Sequence, residues 1–212
     1  MKLDLDDVAN AVLFLAVFVG IWQLVFVLGI WPKVSLPSPY TVAGSFADII
    51  LDYTLIKSIG ITLGRLVIGF LISIALGTTI GLAMIKFKGF GKTMSSFSAG
   101  LLSFPSIAWV PFSILLIGFN DAGILFVVIM SSVFSITIST YSSIRNIPPI
   151  YIDAARNMGA KGISLFLHLT IPAATPSLII GIRQGWSFAW HAIIGAETVS
   201  YTHLTLPTIL LV

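Results

Sequence analysis

Five apolar runs divide the chain, at residues 8–31, 59–85, 97–119, 122–141 and 172–196. Each reaches the roughly 20 residues an α-helix needs to cross a hydrocarbon core. The first run is too long, and its leader with Asp4, Asp6 and Asp7 too acidic, for a cleaved signal peptide. It is read as a retained helix with Trp22 and Trp31 as interfacial anchors. The pattern predicts an all-α polytopic transmembrane helical bundle of five spans, with no strand signal to compete.

The polar stretches place the remaining elements. Ser38-Pro39 fits an N-cap followed by proline at N1, which predicts a short amphipathic helix over 40–53. Gly60-x3-Gly64 and Gly77-x3-Gly81 in the second run have the spacing that permits close helix contact, although glycine is also simply common in membrane helices. Arg65 lies near one end of that run and is expected to snorkel. Asn120-Asp121 reads as a tight turn between the third and fourth runs. Residues 142–171 form the longest polar connection. Pro148 and Pro149 open a short helix over 150–158, where Tyr151, Ala154, Ala155 and Met158 recur at i, i+3, i+4 and i+7 and so share a face. Gly159 stands where a left-handed C-terminal cap belongs.

Composition agrees with a membrane protein: of 212 residues, 57% are hydrophobic and 9% charged, with mean hydropathy +1.06. The absence of cysteine excludes disulfides, thiolate metal sites and cysteine nucleophiles. The net charge of +3 acts through its distribution and gives no nucleic-acid signal. Lys86, Lys88 and Lys92 cluster in one loop, and Arg145, Arg156 and Lys161 in another. Alternate threading puts both on the same side, which the positive-inside rule makes cytoplasmic, with the N-terminus inside. Gly91-Lys92-Thr93 lacks the upstream glycine and strand of a phosphate loop. There is no His-Glu-x-x-His, no Gly-x-Ser-x-Gly and no paired carboxylate within a run, so no catalytic site is expected. His168, His191 and His203 are read as structural, and no metal site is expected.

Asp153-Ala154-Ala155, then three residues, Gly159, nine residues and Leu169-Thr170-Ile171-Pro172 resemble the Glu-Ala-Ala loop of ABC importer permeases. Asp replaces Glu, and Leu and Ile replace Ile and Leu, at unchanged spacing. Leu36-Pro37-Ser38-Pro39, Thr62-Leu63-x-Arg65 with Gly69-Phe70, Pro105 to Pro111, and Gly181-Ile182-Arg183 with Ala189-Trp190 are similar to the nitrate/sulfonate/taurine-type branch. The resemblance covers about residues 32–197. It implies a MetI-like ABC permease fold and a permease homodimer in the bacterial inner membrane. It also implies a cytoplasmic ABC ATPase subunit that binds ATP and Mg, and an extracytoplasmic solute-binding protein. This chain carries no cofactor of its own in that reading. The rival is a gradient-driven secondary transporter or channel subunit, which would need ion-coupling carboxylates or an inverted repeat.

The coupling surface is expected at Tyr151, Asp153, Ala154, Ala155, Met158, Gly159, Ala160, Lys161 and Pro172. The translocation path is expected along Pro105, Trp109, Ser131, Ser135, Arg183, Gln184 and Trp190. A cation at mid-helix costs on the order of 2.5–3.5 kcal/mol on insertion scales, so Arg183 is read as meeting an anionic solute or a structural carboxylate, with snorkelling as the alternative. The hydroxyls of the fourth run are expected mostly to bond their own i−4 carbonyls. Residues 198–212, TVSYTHLTLPTILLV, do not resemble the family's continuation into one more span. They are read as a truncation followed by adapter or vector read-through, with a natural short variant ending in a surface strand or interfacial segment as the alternative.

Overall fold

The computed structural model describes residues 5–32, 35–118 and 120–209, and side chains for 8–32, 35–118 and 120–199. Lys2, Phe119 and the side chain of His203 lie outside the described residues. The chain divides into two compact units, residues 1–60 and 61–212. Among the described residues every regular element is helical.

The first unit holds α1, Leu5–Val27, and α2, Pro39–Leu51. The side chains of α1 from Val8 to Val27 are almost all exposed apolar groups, as suits a helix solvated by lipid. Trp22 donates from Nε1 to the carbonyl of Pro37 at 3.1 Å. Ser38 caps α2 by accepting from the Thr41 N–H at 3.1 Å, with Pro39 at N1. This is the cap the Ser-Pro pair predicts.

The helix α3, Thr54–Lys86, runs on into the second unit. From residue 61 on, its stripe of Leu66, Gly69, Phe70, Ser73, Gly77, Gly81 and Met84 is buried, while Val67, Ile68, Leu71 and Ile72 are exposed. The buried stripe lies on α6, Asp121–Arg145. A Cβ on Gly77 would stand 2.9 Å from Ile136, and one on Gly81 2.6 Å from Thr140. Gly69 is equally tight against Val128. Gly60 and Gly64 face open space, so of the two glycine pairs only 77/81 makes the close approach. Ser132 donates to Ser73 Oγ across the same seam at 2.8 Å.

The third apolar run is not one helix. Lys88–Leu102 form α4, and a 3₁₀ turn over Ser106–Ala108 leads into α5, Trp109–Leu116. The two halves meet at 96°. Pro105 supplies the reason: it bars helical geometry at Phe104 and has no N–H to continue the ladder. Lys88 and Lys92 accordingly sit in the first turns of α4, separated from α3 only by Phe87, rather than in a loop.

After α6 comes α7, Pro149–Asn157. Helix then resumes at Gly162, as α8, Gly162–Leu165, a π turn over Phe166–Thr170, and α9, Ile171–Ile209. The polar connection is therefore shorter than residues 142–171, and Pro172 lies within helix instead of at its entrance. Its missing N–H accounts for the wide turn, since the carbonyl four residues back has no donor there. The backbone stays helical from residue 198 to 209, so that stretch does not adopt the strand considered from sequence.

Two apolar clusters hold the second unit together. One joins Leu66 and Phe70 of α3, Val128 and Ile136 of α6, and Ala189 and Ile193 of α9. The other joins Val110 of α5, Val127 of α6, and Ala192 and Ala196 of α9. Both contain α6, the central helix. Its hydroxyls reach their own i−4 carbonyls at Ser131, Thr137 and Thr140, at 2.7 to 2.8 Å. That bond removes the cost of burying an unpaired hydroxyl.

Candidate functional site

The break between α4 and α5 opens a cavity of about 480 Å³, within the range of small-molecule sites. Its walls are Leu101 to Ile107 and Trp109 at the break, Met130, Ser131 and Phe134 of α6, and Phe188 and His191 of α9. Trp109 stacks on Phe134 at 6.4 Å between centroids and meets Phe104 edge-on at 5.6 Å. A second cavity of about 340 Å³ continues along the α6–α9 seam and shares Leu102. Its wall carries Ser135, Ser139, Ser142, Ser143 and Asn146 on one side and Ser177 and Gln184 on the other. The wall residues of α9 from Ser177 to His191 recur at three and four residues, one stripe of the helix. The two cavities thus form consecutive stretches of one groove.

Of the residues expected on the path, Pro105, Trp109 and Ser131 line the first cavity, and Ser135 and Gln184 the second. Trp190 packs against the core and meets Trp186 edge-on at 6.0 Å. Arg183 is exposed and lies outside the walls of both cavities. Successive helix positions are rotated about 100°, so Arg183 and Gln184 face different ways. His191, read from sequence as structural rather than catalytic, lines the first cavity. Its polarity in an apolar run was the available signal.

Arg65 does not extend freely toward an interface. Nη1 lies 3.1 Å from Glu197 Oε1 and Nη2 2.6 Å from Asp121 Oδ1. Thr62 adds bonds to both Glu197 oxygens, at 3.0 and 2.8 Å. The cluster ties α3 to the start of α6 and to α9. The carboxylate partners stand 56 and 132 residues away in sequence, which no local pattern reveals.

At the other end, α7 lies between α6 and α8. Gly159 has φ +90°. The N–H of Gly159 reaches the Arg156 carbonyl and that of Ala160 the Ala155 carbonyl, both at 3.0 Å. These are the two bonds of a Schellman cap. Tyr151, Asp153, Ala154, Met158, Gly159 and Lys161 are exposed, Ala160 is half-buried and Ala155 is buried. Ala155 therefore fixes α7 to its own chain, and the outward face is carried by its neighbours.

These features define a polytopic α-helical membrane transporter subunit: several apolar helices, a broken span, a polar groove along the bundle and an exposed helix at one end. The model of the binding-protein-dependent transport system inner membrane component family matches residues 69–210, and the chain belongs to that family. The match takes in most of the stretch from 198 on. An ABC transporter permease of Methanocaldococcus jannaschii is 29% identical over 93% of this chain and 75% of its own length. An aliphatic sulfonates transport permease of Escherichia coli is 34% identical over 86% and 69%. A nitrate import permease of Synechococcus elongatus is 28% identical over 88% and 70%. The chain is thus an ABC permease of the binding-protein-dependent import family, with sulfonate and nitrate permeases among its relatives.

Proposed function

We propose that this chain is the membrane-spanning permease subunit of an ATP-driven importer in a bacterial inner membrane. It passes a small anion of the sulfonate or nitrate class, delivered by an extracytoplasmic binding protein. Two copies of the chain pair in the membrane, and a cytoplasmic ATPase that holds ATP and Mg supplies the energy. The observation that carries this reading is α7. It is a capped, exposed helix standing between two long apolar helices, with Tyr151, Ala154 and Met158 outward. Small and flexible side chains at such positions let a partner's surface approach closely. The N-terminus and α7 share the cytoplasmic side in this reading. The anion class is supported by the two relatives named for sulfonates and nitrate, both transporters of small oxyanions.

The test is co-purification in mild detergent with a cytoplasmic ABC ATPase subunit, followed by uptake of labelled ethanesulfonate and nitrate into proteoliposomes supplied with a binding protein. Ala154→Trp adds bulk on the outward face. It is expected to abolish ATPase capture and uptake while leaving the protein in the membrane at its normal level. Wild-type capture by the Ala154→Trp chain would refute the docking role of α7. A bulky side chain at Ala155 is the wrong probe, because that side chain is already buried in the chain's own packing.

A further inference from the structure

Among the described residues, the cavity at the broken span has a single titratable side chain on its wall. The lining from α4 and the break is Leu101, Leu102, Ser103, Phe104, Pro105, Ser106 and Ile107, and none of these ionises. Nor do Trp109 of α5, Met130, Ser131 and Phe134 of α6, or Phe188 of α9, which leaves His191. The charged groups nearest His191 on its own helix are Arg183, which lies outside the cavity wall, and Glu197, which is engaged by Arg65 and Thr62. The ring of His191 is oriented. Nδ1 lies 2.6 Å from the carbonyl oxygen of Ser187. A carbonyl only accepts, so Nδ1 carries a hydrogen, and Nε2 is the atom left to meet the cavity. In the neutral ring Nε2 is an acceptor, which repels an oxyanion. In the protonated ring it is a charged donor, which binds one.

We propose that His191 is the anion-recognition residue of this cavity, and that protonation at Nε2 switches the cavity from anion-rejecting to anion-accepting. The occupant is a small oxyanion, bound by Nε2–H and flanked by the Ser103 and Ser106 hydroxyls. This rests on the groove being the path of the proposed importer. Anion entry rises with the protonated form of the ring, and a neutral solute is indifferent to it.

The sequence contains no cysteine, so one introduced thiol reports on the cavity alone. Ser103 is exposed on its wall. Ser103→Cys in the full chain, in membranes, is treated with the anionic reagent 2-sulfonatoethyl methanethiosulfonate and separately with the cationic trimethylammonioethyl reagent. Both react with the same thiolate, so the ratio of the two rates cancels the thiol's own pH dependence. With His191 present, the anion-to-cation ratio is expected to rise on the order of tenfold on acidification. With His191→Gln it stays low and flat, and with His191→Lys it stays high and flat. A pH-independent ratio with His191 in place overturns the role of the imidazole while leaving a wetted path. Failure of both reagents to react overturns the path reading itself, and the anion site with it.

Discussion

The seam between α3 and α6 gives a prediction whose size follows from the coordinates. Gly77→Ala would place a Cβ 2.9 Å from Cβ and Cγ2 of Ile136 and from the Val133 carbonyl oxygen. Carbon–carbon contacts are comfortable at about 3.5–4.0 Å, so the helices must separate by roughly 0.6 Å or more. Neither neighbour can swing aside. The carbonyl belongs to the α6 backbone, and a β-branched side chain in a helix has one strongly preferred χ1. Separation would also stretch the 2.8 Å Ser132–Ser73 bond and loosen Leu66 and Phe70 against Val128. Overpacking of this kind costs about 1–3 kcal/mol. At about 2–4 °C per kcal/mol for a chain of this length, the apparent Tm should fall by roughly 2–12 °C. Gly64→Ala, on the same helix but with nothing within 4 Å, is the matched control. It should lose nothing, since alanine is the better helix former. The assay is thermal loss of the monodisperse peak in mild detergent, at one heating rate for all variants. If Gly77→Ala and Gly64→Ala melt together, the glycine stripe does not set the α3–α6 spacing.

The same logic extends to other sites. On Gly181 an added Cβ would collide with Ser139; Gly181→Ala should lower the apparent Tm more than Gly77→Ala, and Ser139→Gly should restore part of the loss. A double-mutant cycle that returns simple additivity would count against this contact. Glu197→Gln strips the half-buried Arg65 of its better-shielded carboxylate and should cost about 1.5–3 kcal/mol. Asp121→Asn touches a carboxylate that is 75% exposed and should cost under about 1 kcal/mol; the reverse order in thermal unfolding would sink the assignment of Glu197 as the main anchor. Gly159→Asp forces a branched-off Cβ into φ +90° and should unwind the Schellman cap, weakening ATPase capture while membrane insertion persists. Normal capture would mean that the cap does not position α7.

The sequence by itself determined whatever depends on local periodicity and composition. Runs of apolar residues long enough to cross a bilayer, the Ser38-Pro39 cap and the Gly159 cap need no distant partner, because each is decided by residues within one or two turns. The same holds for the spaced pattern around Asp153-Ala154-Ala155, which carried the family resemblance. The tertiary structure decided what depends on which helix lies opposite. Glycine pairs of identical spacing divide into one that touches α6 and one with no described neighbour within 4 Å, since spacing fixes a face but not its neighbour. Ala154 and Ala155 both belong to the i, i+3, i+4 pattern of α7, yet only Ala155 is buried. Arg65 meets Glu197 and Asp121 across long stretches of chain, and His191, not Arg183, faces the cavity beside the broken span. Pro105 makes that break, but the space beside it is enclosed by α6, which packs against both halves, and by α9, which packs against the second. An isolated helix bears its side chains all round, and only its packed neighbours select which of them meet solute.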